Sequence, residues 1–334
     1  MWKLTINKTI EEDYLLMMLP GLIKRVQKWK VKGVSGGKYK NMQKDLLPDW
    51  DKDNPIEMEN LKILLTSKPK EAYEANKKLM KEFIKGYNER DLANKRLPGR
   101  YKNRLQFLER VFDYDGQISQ SKSKSYWLAE RIGHNTCTYC NRQYTFTIGG
   151  KNDQQRITRP AFDHWFPKSL FPLLSLNIYN LIPSCTVCNS GAKGDTIFHI
   201  GKFVHPYLQS DDDPKFKFVP QVSDTIVNSW HIVLSRDATA NPEVDNTIKA
   251  FALDRIYDVH GPLEVKDIME FAQAYNDTYL RDLYEKMKKD LQFVGYTQEE
   301  VYRMLFGTEA IASQFLDRPL SKLKHDILEY LHII

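Results

Sequence analysis

Four cysteines set the strongest constraint on this 334-residue chain, and they fall into two matched pairs: Cys137-Thr-Tyr-Cys140 and Cys185-Thr-Val-Cys188. A two-residue gap lets both thiolates of a Cys-x-x-Cys turn reach one ion, and two such knuckles complete a closed tetrahedral shell. Either pair alone could also be a redox dithiol. Two together, in a chain read as cytoplasmic, favour structural zinc over a disulfide. The 44 residues between the knuckles exceed ordinary zinc-ribbon spacing. The chemistry is expected to lie in that insert.

Bulk composition narrows the class without deciding it. A hydrophobic content of 42% fits a folded globular protein. No apolar run reaches the roughly 18 residues of a membrane span, and Met1-Trp2-Lys3-Leu4 lacks a secretory leader pattern, so no membrane partner is expected. The net charge of +6 is compatible with a polyanionic partner without requiring one. Residues 1–50 hold ten Lys/Arg against five Asp/Glu, a basic segment that is either a solvated face or a DNA contact.

The periodicity predicts helices on both flanks and short strands in the middle. Residues 14–29 read as helical pieces broken at Pro20-Gly21, 30–55 as a loop, and 56–87, 101–112 and 123–132 as helices. Gln143 to Ile148, ending at Gly149-Gly150, reads as half of a hairpin. Pro160 to Phe166 and Asn180 to Pro183 read as extended, with a short helix starting at the second knuckle. Later, 216–220 and 226–234 alternate like strands, followed by helices over 246–256, 263–291, 298–306 and 319–332. The expected class is α+β, divided as a helical region (1–130), a zinc-stapled core (131–207), and short strands followed by helices (208–334).

Within the insert, Asp163-His164 pairs a hard oxygen ligand with an imidazole that titrates near neutrality. Neighbours on a strand point to opposite faces, so the pair needs a twist, bulge or strand end to address one phosphate. Asn189 offers an amide oxygen beside the second knuckle, and Asn180 can pin the intervening loop. Trp165, Phe166 and Phe171 are expected in the core.

Asp163-His164-x-x-Pro167, Asn180-Leu181 and Cys185-x-x-Cys188-Asn189-x-x-x-Lys193 together resemble the HNH endonuclease motif, in its Asp-His, Asn, Asn form with zinc cysteines. The wider wording resembles bacterial HNH proteins of Septu-type and retron-linked anti-phage systems, over about residues 127–207. The resemblance implies a ββα-metal finger in which His164 is the general base, Asp163 and Asn189 hold a catalytic Mg²⁺ or Mn²⁺, and Asn180 orders the loop. Cys137, Cys140, Cys185 and Cys188 hold a separate structural Zn²⁺. Lys168, Lys193, Arg142 and His205 are the candidate phosphate contacts. The expected activity is hydrolysis of DNA phosphodiesters, with a partner ATPase or other defence protein and a homodimer as expected partners. Two alternatives stay open: an RNA-cutting effector with the same catalytic groups, and a zinc-finger module that binds DNA or protein while the Asp-His pair is idle.

Overall fold

The computed structural model describes residues 1–32, 39, 42, 55–93, 97–194, 196–212, 214–222, 230–236, 242–275 and 277–334. Most of the expected loop at 30–55, including Lys38, Lys40 and Lys44 of the basic segment, lies outside the described residues, as does the expected strand start at 226–229.

The first helix, α1 (Lys8–Lys32), runs straight through Pro20 rather than breaking there. Tyr14, Met18, Leu22 and Val26, spaced four apart, are all fully buried. That continuous stripe outweighs the donor lost at proline. The expected helix over 56–87 instead splits into α2 (Pro55–Thr66) and α3 (Pro69–Phe83). Pro69 favours an extended Lys68 (φ −62°, ψ 158°), which ends one helix and starts the next. Helices α4 (Gly99–Phe112) and α5 (Lys122–Ile132) follow, and α5 leads to the first knuckle.

The centre is a two-stranded antiparallel sheet of β1 (Ala161–His164) and β2 (Leu181–Ser184), with Asp163 opposite Ile182 and His164 opposite Leu181. Pro183 is tolerated because β2 has a partner on one side only; its carbonyl accepts the Thr138 N–H at 3.3 Å. A seven-residue π-type helical turn, α6 (Val187–Lys193), begins inside the second knuckle.

The hairpin expected at 143–150 is absent. Only single bridges form there, Thr136 to Tyr144 and Ile148 to Thr158. Tyr144, Phe146 and Ile148 alternate as a strand would, yet all three are exposed. Alternation without a surface to bury it against gives no ladder.

A second antiparallel pair, β3 (Phe216–Val222) and β4 (Trp230–Arg236), packs on the C-terminal helices. Helices α7 (Pro242–Phe251) and α8 (Leu253–Asp258) are separated by Ala252 in the left-handed region (φ 47°). The long helix expected over 263–291 is instead α9 (Lys266–Tyr275) and α10 (Asp277–Phe293). Helix α11 (Gln298–Phe306) opens on a capping box, Thr297 with Glu300, and α12 (Ser321–Tyr330) ends the series. Among the described residues no helix is long and apolar enough to cross a membrane.

One buried cluster joins these parts, from Met1 to Ile333. The centre is tied to both flanks. Leu4 N–H donates to the Pro206 carbonyl at 3.1 Å, and Thr136 N–H to the Leu316 carbonyl at 3.0 Å.

Candidate active site

The two knuckles share one backbone design. The residue after the second cysteine is asparagine in both, and its N–H returns to the first cysteine's carbonyl: Asn141 to Cys137 at 2.8 Å, Asn189 to Cys185 at 3.0 Å. The four sulfurs are buried and lie within 4.8 Å of one another. Zinc–thiolate bonds of about 2.3 Å in a tetrahedron put sulfurs roughly 3.8 Å apart, so the cluster can hold a zinc ion with little rearrangement. The electrostatics agree. Hydrogen bonds from the other sulfurs hold the Cys185 thiol far below its ordinary value, whereas burial drives Cys137 up and the neighbouring sulfurs drive Cys188 up. The Cys137 sulfur likewise pulls Cys140 down, so the four thiols share hydrogen bonds as one coupled group. Four protein ligands leave no open position for water, so the fitting role for zinc is structural.

A cleft of about 1160 Å³ is lined by Asp163, His164, Lys168, Asn189 and Lys193. β1 ends at His164, and this is how adjacent residues of one strand reach the same cleft. Asp163 turns toward the first knuckle and accepts the Tyr139 hydroxyl at 2.6 Å. It also accepts the Lys193 ammonium through both oxygens, at 2.9 and 2.8 Å. The same ammonium donates to the His164 carbonyl. Lys193 is only 3% exposed, so it is a buried ion-pair partner rather than a loose surface cation. Burial lowers its pKa and the Asp163 carboxylate opposes that shift.

His164 turns the other way. Its Nε2 lies 3.0 Å from the Ser175 carbonyl, and its ring meets Tyr114 edge-on at 4.3 Å. A carbonyl only accepts, so Nε2 carries the hydrogen and Nδ1 keeps the basic lone pair. Burial pushes the imidazole pKa down to about 3, with Lys168 and Lys193 adding to the fall, so the ring is neutral at pH 7.

Asn180 is committed to the loop between β1 and β2. Its Oδ1 accepts the Phe166 N–H at 2.7 Å, and its Nδ2 donates to the Phe166 and Leu174 carbonyls at 3.1 and 3.0 Å. Tyr14 of α1 donates to the Leu176 carbonyl at 2.8 Å, and Asn177 to the Ser67 carbonyl at 3.1 Å, so α1 and the residue just after α2 also hold this loop. Trp165, Phe166 and Phe171 are buried beneath it, as expected.

Asn189 is half-buried on the cleft wall. Lys168 is at the cleft too, paired with Asp115 at 2.8 Å and 5.2 Å from the centre of the Tyr114 ring. Two expected phosphate contacts are placed elsewhere. His205 is buried against Trp165, with ring centres 4.4 Å apart, and Arg142 is not among the cleft-lining residues. Both flank the motif in sequence, but His205 belongs to the hydrophobic support behind β1.

Sequence reasoning assigned no role to Tyr139, Tyr114 or Arg159. Tyr139 lies inside the first knuckle, where the Cys-x-x-Cys turn fixes its direction, and that was a usable signal. Tyr114 and Arg159 reach the cleft by tertiary packing, for which the local sequence carries no mark.

A hard carboxylate and an amide oxygen suit Mg²⁺ or Mn²⁺. The Lys193 ammonium, within 2.9 Å of both Asp163 oxygens, already supplies positive charge at that carboxylate.

A 51-residue stretch of the chain is 37% identical to protein ea31 of Escherichia phage lambda. The match covers 15% of this chain and 17% of that protein. No family model and no solved structure matches the chain.

Proposed function

We infer that the protein is a zinc-stapled HNH endonuclease that hydrolyses phosphodiester bonds, with DNA as substrate and Mg²⁺ or Mn²⁺ as catalytic ion. The observation that carries this reading is the order and convergence of β1, β2 and α6. Strand, loop, strand and short helical turn follow one another, and they deliver Asp163, His164 and Asn189 to a single cleft. A cation held by Asp163 and Asn189 would relieve charge on the scissile phosphate and the leaving 3′-oxygen.

The protein's own groups supply the rest. His164 Nδ1 takes a proton from the attacking water, while the Ser175 carbonyl fixes the ring through Nε2. A bound phosphodiester, being anionic, opposes the cationic contributions from Lys168 and Lys193 and so raises the basicity of the ring. Asn180 holds the loop that carries Ser175, so it positions the base without touching substrate. Lys168 at the cleft can trade its Asp115 contact for a phosphate oxygen.

DNA is favoured over RNA by the resemblance. A role in anti-phage defence beside a partner ATPase, and a dimer that brings two sites to two strands, belong to the same proposal. Plasmid cleavage with the purified, zinc-loaded protein in Mg²⁺ or Mn²⁺ tests the reading. Nicking that EDTA and His164→Ala both abolish supports it. Cleavage that survives His164→Ala removes His164 as the base. Binding to DNA without cleavage in either metal points to the binding module instead.

A further inference from the structure

The Lys193 ammonium sits where positive charge beside Asp163 is required. It spans both carboxylate oxygens at 2.9 and 2.8 Å and also holds the His164 carbonyl, so its three donors are committed. The ion pair is buried on both sides, with Lys193 3% and Asp163 6% exposed at the side chain. The ammonium lies over the Phe198 ring, 5.1 Å from its centre. A divalent ion on Asp163 would meet this ammonium at contact distance. Two cations competing for one carboxylate in a site screened from water repel strongly.

Lys193 is also the last residue of α6, six residues from Val187 inside the second knuckle, and it lines the cleft. The ammonium therefore has somewhere to go. A rotamer change would carry it from Asp163 into the cleft, where a phosphate could receive it, while the second knuckle holds the start of α6. The residue that follows, Gly194, adopts φ +48°, a region L-residues rarely use, so the chain leaves α6 through a turn built for glycine.

We propose that Lys193 is an internal competitor of the catalytic cation: it caps Asp163 in the resting site, and cation loading displaces it into the cleft as a phosphate contact. The proposal rests on the nuclease reading, because it takes Asp163 to be the cation ligand. It adds that the resting site is closed to metal by a residue of the same chain, and that the displaced ammonium then helps select an anionic substrate.

The test uses the zinc-loaded full chain and two readouts other than cleavage. The first is Mn²⁺ affinity, from the electron paramagnetic resonance signal of the free ion, for wild type, Lys193→Met and Asp163→Asn. The second is acylation of the Lys193 amine in the wild-type protein, with and without saturating Mg²⁺, read by mass spectrometry. That readout does not depend on a variant that might fail to fold. The expected results are Mn²⁺ binding about tenfold or more tighter in Lys193→Met, and a Lys193 amine that is protected without Mg²⁺ and reactive with it. Suppose Asp163→Asn abolishes Mn²⁺ binding while Lys193 stays protected in Mg²⁺ and Lys193→Met binds no tighter. The competition is then overturned and the cation site stands. Mn²⁺ binding unaffected by Asp163→Asn overturns both the competition and the nuclease reading on which it rests.

Discussion

The two knuckles begin with the same chemistry and end in different places. Cys137-Thr-Tyr-Cys140-Asn141 and Cys185-Thr-Val-Cys188-Asn189 share spacing, turn hydrogen bonds and a terminal asparagine. Asn141 is fully buried in the left-handed region (φ 48°). Its amide donates to the Thr136 hydroxyl and to the Phe315 and Arg318 carbonyls, and its Oδ1 accepts the Ser321 N–H. Asn189 faces a cleft beside Asp163 and His164. The same dipeptide, Cys-Asn, is thus used once as a bolt and once as a candidate ligand. Local sequence fixes the turn; the surface each turn meets decides the role.

The largest effect should come from breaking what the knuckles share. Replacing Cys137 or Cys185 by serine removes a candidate zinc ligand, and structural zinc binding is worth about 10–16 kcal/mol in finger peptides, comparable to a whole domain's stability. Each variant should lose bound zinc by atomic absorption and its cooperative unfolding transition by circular dichroism. Full zinc content in Cys185→Ser would argue against a four-sulfur site.

Next are two substitutions that should separate the asparagines. Asn141→Ala removes the donor to the buried Phe315 carbonyl and the acceptor for the Ser321 N–H, and a buried polar group left unmet costs about 1–3 kcal/mol, so its melting temperature should fall sharply. Asn189→Ala should stay within about 1 kcal/mol of wild type. Its cleavage at limiting Mg²⁺ should nevertheless drop by roughly tenfold or more, with partial recovery at high Mg²⁺. Equal stability losses in the two variants would erase the contrast.

His164→Ala should lower cleavage by about 10²–10⁴-fold with zinc content unchanged, which separates the cleft from the staple within one variant. Nicking assays beside zinc analysis check this.

Acid should act on the support behind β1. Burial pushes His205 down to about 3, below its unfolded value near 6.5. The unfolded chain therefore binds more protons between these values. The stability tied to neutral His205 is fully present above about pH 6.5 and declines as pH falls toward 3. From pH 7 to 5 this amounts to about 2 kcal/mol. His205→Phe should show a correspondingly shallower loss of melting temperature over that range.

The smallest effect belongs to the cleft rim. Lys168 and Asp115 form a largely exposed pair, worth about 0.2–1 kcal/mol. Asp115→Asn should barely move the melting temperature, while Lys168→Ala should reduce the salt slope of DNA binding by about one.

Much of this was legible beforehand because it is local. Cys-x-x-Cys spacing, the extended Asp-His segment, and the helix over 298–306 are set by residues within a few positions of one another. The failures lie where distant contacts overrule local preference. Pro20 should break α1 but is carried through by Tyr14, Met18, Leu22 and Val26. The alternating Tyr144, Phe146 and Ile148 find nothing to cover them. His205 has the chemistry of a phosphate contact but the environment of a core residue.

The bonds that hold the first knuckle have a consequence in time. Thr136 donates its hydroxyl to the Leu316 carbonyl across 180 positions, and Asn141 reaches Phe315 across 174. Trp2 and Leu4, made first, wait for Thr138 and Pro206. A chain emerging from the ribosome at about 5–20 residues per second makes the cysteines many seconds before their supports. The first knuckle therefore gains its last supports only after residues 315–321 have been synthesised.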